Sequence, residues 1–228
     1  SCIITPNDGS GPVKTRAGQI LMAIGRRPDV SRLLGKDISL DMKDGKIAVD
    51  SDFETSEPGV YAIGDVAART QLAHVAAAQG TYVVEKIAGR PHSIKLEVVP
   101  NGMFVSLPIV PNCIYTDPEI ATVGITEEIA KKYGLKVRCG HFSMRDNGKS
   151  IITGEEHGFI RLLFEAYSNT IVGAQMMCPR ATDMIGEIAT AIANGLTAQE
   201  MSFAMRAQPT YNEGIGAAIE DAMRQNPV

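Results

Sequence analysis

The stretch Thr55-Ser56-Glu57-Pro58-Gly59-Val60-Tyr61-Ala62-Ile63-Gly64-Asp65 constrains this chain more than any other. Pro58-Gly59 is turn chemistry, and the apolar run at 60–63 is too short for a helix, so it predicts a short buried strand. Gly64 lets the backbone take a conformation closed to other residues, or approach a neighbour closely. Asp65 is then expected at the carboxyl end of that strand, where open α/β sheets bind ligands. A long apolar helix begins near Leu72. A carboxylate at a strand end, followed by a helix N-terminus, suits a ligand with a sugar-like hydroxyl and an electron-rich end. An isolated Gly-Asp more often merely caps a helix or turn, so the whole stretch has to be read together.

The 228 residues are 44% apolar and 21% charged, with 22 basic and 26 acidic side chains and a net charge of −4. That length allows one or two domains with a sizeable core. The charge balance, without a basic cluster, argues against nucleic acid or an anionic membrane as partner. Gly, Pro or charge interrupts the longest apolar runs well before a membrane span is reached. The opening Ser1-Cys2-Ile3-Ile4 lacks the basic and apolar regions of a signal peptide. Cys2, Cys113, Cys139 and Cys178 are widely scattered and form neither CxxC nor CxxxxC. This spacing predicts buried thiols in a reducing cytoplasm, not a disulfide framework or a metal site.

Along the chain, Asn7-Asp8-Gly9-Ser10-Gly11 predicts the turn of a hairpin. Residues 19–24 predict a buried strand that leaves through the loop Arg26-Arg27-Pro28-Asp29, and residues 45–50 another short strand. The Arg pair reads as a solvated turn in preference to a phosphate site. Leu72, Val75, Ala76, Val83, Val84 and Ile87 fall on one helical face, and Gly89-Arg90-Pro91 ends that helix. Residues 109–228 read as a separate α+β unit. Its expected strands are 113–115, 119–123, 135–142, 158–165 and 170–177, with a turn at Ser168-Asn169. Its expected helices are one capped by Thr126 and ending near Gly134, then 181–194 closed by Gly195, 198–204 and 211–223.

Three ordered motifs carry a resemblance. Residues 55–65 resemble the second flavin-binding motif of the pyridine nucleotide-disulfide oxidoreductases. Ile20-Leu21-Met22-Ala23-Ile24-Gly25-Arg26-Arg27-Pro28-Asp29 resembles the strand and turn leaving that family's NAD(P) domain. Leu72-Ala73-His74-Val75-Ala76, with Gln79-Gly80, resembles the flavin-side helix of dihydrolipoamide dehydrogenases. The resemblance implies an α/β plus α+β architecture. Residues 1–25 would be the tail of an NAD(P)-binding domain, 26–105 the second part of a FAD-binding domain, and 106–228 an interface domain that forms two-fold homodimers. It implies FAD contacts from Gly64, from Asp65 to the ribityl chain, and from Leu72, Ala73, His74 and Val75 to the isoalloxazine. It also implies NAD(P)H in the parent enzyme and a small dithiol or disulfide as substrate.

The family's His-Pro-Thr-x-x-Glu motif falls at Gln208-Pro209-Thr210-Tyr211-Asn212-Glu213. There the His acts as base toward a dithiol, and the Glu holds the imidazole. A thiol of pKa ~8.5 must lose its proton to attack a disulfide, and an imidazole near ~6.5 suits that task. Gln208 stands in place of the His and cannot shuttle a proton near neutrality. Tyr211 and Glu213 are the candidate substitutes, although Glu213 equally suits a helix first turn. The chain also lacks both GxGxxG loops and the CxxxxC redox pair that the family needs. It therefore reads as the carboxyl-terminal portion of a flavin-dependent disulfide oxidoreductase, inactive by itself. The alternatives are a non-catalytic dimerisation module, or a relative acting on a non-dithiol substrate.

Overall fold

Short, separate pairings make up nearly all the regular structure at the amino-terminal end of the chain. The computed structural model describes residues 1–35, 38–68, 70–98 and 107–225, in two compact units, Ser1–Leu72 and Ala73–Val228. In the first unit β1 (Cys2–Ile4) pairs antiparallel with β2 (Val13–Thr15). This is the expected hairpin, and its turn is held by Asp8, whose Oδ1 accepts from the Ser10 amide at 2.9 Å and hydroxyl at 2.6 Å. β3 (Met42–Lys43) pairs with β4 (Lys46–Ile47) across Asp44-Gly45. Both turn residues have positive φ, 53° and 76°, as a tight two-residue hairpin loop demands. Leu40, Ile47 and Ala62 form a small core, with Val30, Leu34, Val49, Val66 and Ala67 packed around it.

Two strand expectations fail in this unit, and a third is cut short. Residues 19–24 form no strand, and Leu21 and Ile24 are 89% and 86% exposed. Residues 60–63 contribute a single bridge, Tyr61 to Glu54. Ala62 is buried there, but Val60 is exposed. The strand expected over 45–50 is reduced to Lys46–Ile47. All three share one physical cause. A buried strand needs hydrogen-bonded neighbours on its edges, and apolar character alone does not supply them. No described strand pairs with residues 19–24.

The second unit opens with α1 (Ala73–Ile87), which buries Val75, Gln79 and Val83. The expected apolar face is narrower than its sequence pattern, because Val84 and Ile87 are exposed. After the short pair β5 (Glu97–Val98) and β6 (Leu107–Pro108) comes a five-stranded antiparallel sheet. Its strands are β7 (Asn112–Ile114), β8 (Ile120–Gly124), β9 (Val137–Ser143), β10 (Phe159–Glu165) and β11 (Ile171–Met177), in the spatial order β7-β8-β11-β10-β9. α2 (Glu127–Lys132) follows β8, capped as expected by Thr126, whose hydroxyl accepts from the Ile129 amide at 3.2 Å. α3 (Gly148–Thr153), absent from the sequence expectation, follows β9. α4 (Ala181–Ala193), α5 (Ala198–Ser202) and α6 (Glu213–Arg224) complete the unit.

α4 lies against β8 and β11, and α6 against β9 and β10. Period-two alternation places Ile160, Leu162 and Phe164 of β10 in the core beneath these helices, with Ile185, Ile188, Ile215 and Ile219. Leu163, between them, joins Val137, Val172 and Ala130 in a second cluster. Gly140 lets α6 seat on β9, since a Cβ there would come within 1.9 Å of the Ala218 carbonyl oxygen. The expected domain boundary at 105/106 lies outside the described residues.

Candidate functional site

The loop ahead of α6 carries the residues singled out from the sequence, and its neighbours hold it from two sides. Asn147 is buried. Its Oδ1 accepts from the Ser150 amide at 2.9 Å, capping α3, and its Nδ2 donates to the Thr210 carbonyl at 3.0 Å. From α4, Glu187 accepts from Arg206 Nη2 at 2.6 Å and from Asn212 Nδ2 at 2.9 Å. Glu213 accepts from the Thr210 amide at 2.9 Å, so part of its hydrogen-bonding capacity closes the first turn of α6. Sequence reasoning missed Asn147, Glu187 and Arg206. Asn147 is of an N-cap residue type, but the segment after it has only Ile151-Ile152 as apolar residues, too little pattern to mark a helix start, and the other two act through tertiary contacts.

Gln208 and Glu213 line one groove of about 630 Å³, together with Phe142, Asn147, Arg206 and Glu220. Gln208 is exposed. Tyr211 lines a different groove, of about 680 Å³, with Thr153, Glu155, Lys149 and Arg180. Its hydroxyl donates to Glu155 Oε2 and lies 2.9 Å from Thr153 Oγ1. Burial and the Glu155 carboxylate push the Tyr211 phenol above its ordinary value. The Tyr211 and Thr153 hydroxyls hold Glu155 below the usual carboxylate range. Tyr211 is thus kept as a neutral donor. The structure brings Gln208 and Glu213 together and gives Tyr211 another environment.

In the first unit, residues 64–66 form a single 3-10 turn, with Gly64 at φ 68°, the unusual backbone expected of it. The Asp65 side chain keeps 39% of its surface exposed, and its Oδ2 meets Arg26 Nη2 at 3.1 Å. The solvated Arg-Arg turn therefore contains an ion pair across 39 residues. Asp65 sits inside that 3-10 turn, not at the end of a buried strand. In the second unit the first turn of α1 carries no acidic residue. Ala73 and His74 are exposed, Val75 is buried, and His74 Nε2 lies 2.8 Å from the Pro111 carbonyl. At that distance Nε2 is the protonated nitrogen. Leu72, which closes the first unit, is half-buried.

All four cysteines are free, but the expectation of buried thiols holds fully only for Cys178. Cys113 and Cys139 are half-buried, and Cys2 is exposed on β1, where no core lies beneath it. Burial pushes Cys178 up to about 12. Burial and then Glu127 do the same to Cys139. These are not nucleophilic thiols. Among the described residues no group of His, Cys, Asp or Glu could hold a metal ion, and no helix is long and apolar enough to cross a membrane.

Comparison with known proteins agrees with this anatomy. The sequence model described as "Pyridine nucleotide-disulphide oxidoreductase, dimerisation domain" matches residues 110–219, and that of "Pyridine nucleotide-disulphide oxidoreductase" matches residues 5–80. Dihydrolipoyl dehydrogenase of Geobacillus stearothermophilus is 34% identical over 218 residues, covering 95% of this chain and 44% of that protein. A dihydrolipoyl dehydrogenase of Bacillus subtilis is 35% identical over 203 residues, covering 89% and 40%. Among solved structures, LpdA from Mycobacterium tuberculosis superposes with a TM-score of 0.80 at 26% identity, covering 97% of this chain and 45% of that one. The flavoprotein disulfide reductase RclA from Escherichia coli, at 17% identity and a TM-score of 0.75 over 89% of this chain and 44% of its own, shares the fold. The chain spans less than half the length of these relatives. It belongs to the pyridine nucleotide-disulphide oxidoreductase family.

Proposed function

We propose that this family member carries the flavin-contacting and assembly portion of a dithiol/disulfide oxidoreductase resembling dihydrolipoyl dehydrogenase, and that the chain alone does not turn over. The observation that carries the reading is the groove shared by Gln208 and Glu213. It stands where the family's base and its carboxylate partner are expected. Yet neither an imidazole nor a thiol is among its lining residues, and Glu213 is engaged by the Thr210 amide. General-base catalysis is worth ~10²–10⁴-fold, so its loss is heavy.

The chain's own residues fit a flavin in two places, each taken by itself. Gly64 turns the backbone so that Asp65 presents a half-exposed carboxylate, an acceptor suited to ribityl hydroxyls, and Arg26 orients it. The opening turn of α1 offers free N–H groups and no opposing acid, which favours an electron-rich partner. FAD, when bound, would supply the two-electron chemistry, with NAD(P)H or its oxidised form as the parent's nicotinamide partner, according to whether a disulfide or a dithiol is the substrate. We place the protein in the cytoplasm, where its scattered free thiols would stay reduced. Homodimerisation through 106–228 and a small dithiol or disulfide substrate belong to the same proposal.

The test is lipoamide-dependent NADH oxidation by the purified chain supplied with FAD. The expected result is no turnover, and robust turnover refutes the reading. The visible spectrum adds to it. Flavin absorbance that stays with the protein supports the flavin-contacting role. A colourless dimer favours the second reading, a non-catalytic dimerisation module, for which the deep core beneath α4 and α6 speaks.

A further inference from the structure

The groove that holds Tyr211 has no part in the proposed redox role. The sequence singled out Tyr211 only as a substitute base, which its hydrogen bonds do not support. Its geometry has another use. Tyr211, Thr153, Lys149 and Arg180 all face this groove, and Pro179 and Pro209 contribute apolar wall. These are hydroxyl donors and cations, the set that recognises a carboxylate. One carboxylate already sits among them. Glu155 accepts from the Tyr211 hydroxyl, and Thr153 lies beside the pair. Lys149 and Arg180 are close enough to favour its charged form.

Glu155 is weakly anchored on its own side. It follows the C-terminus of α3, where Gly154 has φ 72°, and its side chain is exposed. A carboxylate just past a helix C-terminus gains nothing from the helix dipole. The other acids facing the groove are Glu119 and Asp117. Glu119 accepts from the Thr182 amide at 2.9 Å and hydroxyl at 2.6 Å, so it is engaged at the start of α4. With Glu155 moved out, Asp117 and Glu119 balance Lys149 and Arg180 in charge, so a ligand with one negative charge suits the groove better than one with two. Arg180 also meets Asp183 at 3.4 Å, with both side chains 70% exposed, a contact that a ligand displaces at little cost.

We propose that the groove between α3, the start of α4 and residues 209–211 is a binding site for a small monocarboxylate with an apolar body, and that Glu155 occupies it as an internal stand-in. An external carboxylate takes the Tyr211 and Thr153 hydroxyls and the two cations, while its body packs against Pro179 and Pro209. Glu155 swings into solvent. Binding there needs no flavin, no second subunit and no turnover, so it stands or falls apart from the proposed redox function.

The experiment is titration of the purified chain with benzoate, followed by calorimetry or by amide chemical shifts at 149–155 and 209–211. Wild type competes with its own Glu155 and binds weakly. Glu155→Ala frees the donors and is expected to bind benzoate at least ~10-fold tighter. Adding Tyr211→Phe or Arg180→Gln to Glu155→Ala is expected to reverse that gain. Sodium sulfate at matched ionic strength serves as the control and is expected to leave benzoate binding in place. Equal benzoate affinity in wild type and Glu155→Ala overturns the proposal, as does a gain that survives both added substitutions or competition by sulfate as effective as by benzoate. Should Glu155→Ala fold poorly, Glu155→Gln replaces it. The carboxamide keeps an acceptor without the charge, so a smaller gain is expected and an unchanged affinity overturns the proposal equally.

Discussion

The two units differ in what they do with the same kind of residue. In Ser1–Leu72 three described hydrophobic side chains are buried, Leu40, Ile47 and Ala62, while Ile20, Leu21, Met22 and Ile24 are 62–89% exposed. In Ala73–Val228, Ile160, Leu162, Leu163, Ile171, Ile188, Ile215 and Ile219 all reach 0% exposure. Apolar content does not make a core. The second unit contains both the strands and the helices that cover them. The first has apolar runs without neighbouring strands to pair with, so its segments settle into short turns and bridges. Stability, and the accuracy of any structural expectation, should follow that division.

Core truncation gives the largest effects and tests the contrast directly. Phe164→Ala, at a fully buried site, is expected to cost about 3–5 kcal/mol in chemical denaturation followed by circular dichroism. Leu21→Ala, at an exposed site, should stay within about 0.5 kcal/mol. Comparable losses at the two positions would break the comparison.

Glu165 probes a buried charge on which the second unit depends. It is 5% exposed. Burial opposes its ionisation, but hydrogen bonds from Ser168 and Tyr167 outweigh that and hold it below the usual range. A depressed folded value means that its stabilisation is present above the unfolded carboxyl value of ~4.3 and is lost as pH falls through that and the lower folded value. Glu165→Gln is expected to cost about 1.5–3 kcal/mol at pH 7 and much less once the pH lies below the folded carboxyl's own depressed value. A cost independent of pH would assign the role to shape and not to charge.

Gly140→Ala sharpens the comparison through packing. The added methyl meets the Ala218 carbonyl, so α6 must move off β9 at about 1–3 kcal/mol. The smallest effect belongs to the first unit. Arg26→Ala removes an exposed ion pair and is expected to cost about 0–1 kcal/mol, less at high salt. A loss above about 2 kcal/mol there would show that the Arg26–Asp65 contact organises far more of the first unit than its exposure suggests.

Legibility followed the same line. The strands near 137–143, 159–165 and 171–177, the Thr126 cap, and Gly195 after α4 stood where periodicity and capping chemistry put them. α3 escaped because six residues between a 3-10 turn and a glycine carry too little pattern. At the candidate site, Gln208, Tyr211 and Glu213 were found from their order in the chain. Their separation into two grooves was not, because it depends on Asn147, Glu187 and Glu155, which come from other elements.

From the sequence alone came the family, the α+β character of the second unit, the positive-φ role of Gly64 and the presence at Gln208 of a side chain that does not titrate near neutrality. Each is local, set by a residue type, a spacing or a period that does not depend on distant partners. Only the tertiary structure decided that residues 19–24 and 60–63 make no strand, that Arg26 claims Asp65, and that Tyr211 is paired with Glu155. Those outcomes turn on which hydrogen-bonding edges, charges and apolar surfaces meet in space, and one-dimensional order leaves such long-range pairings open.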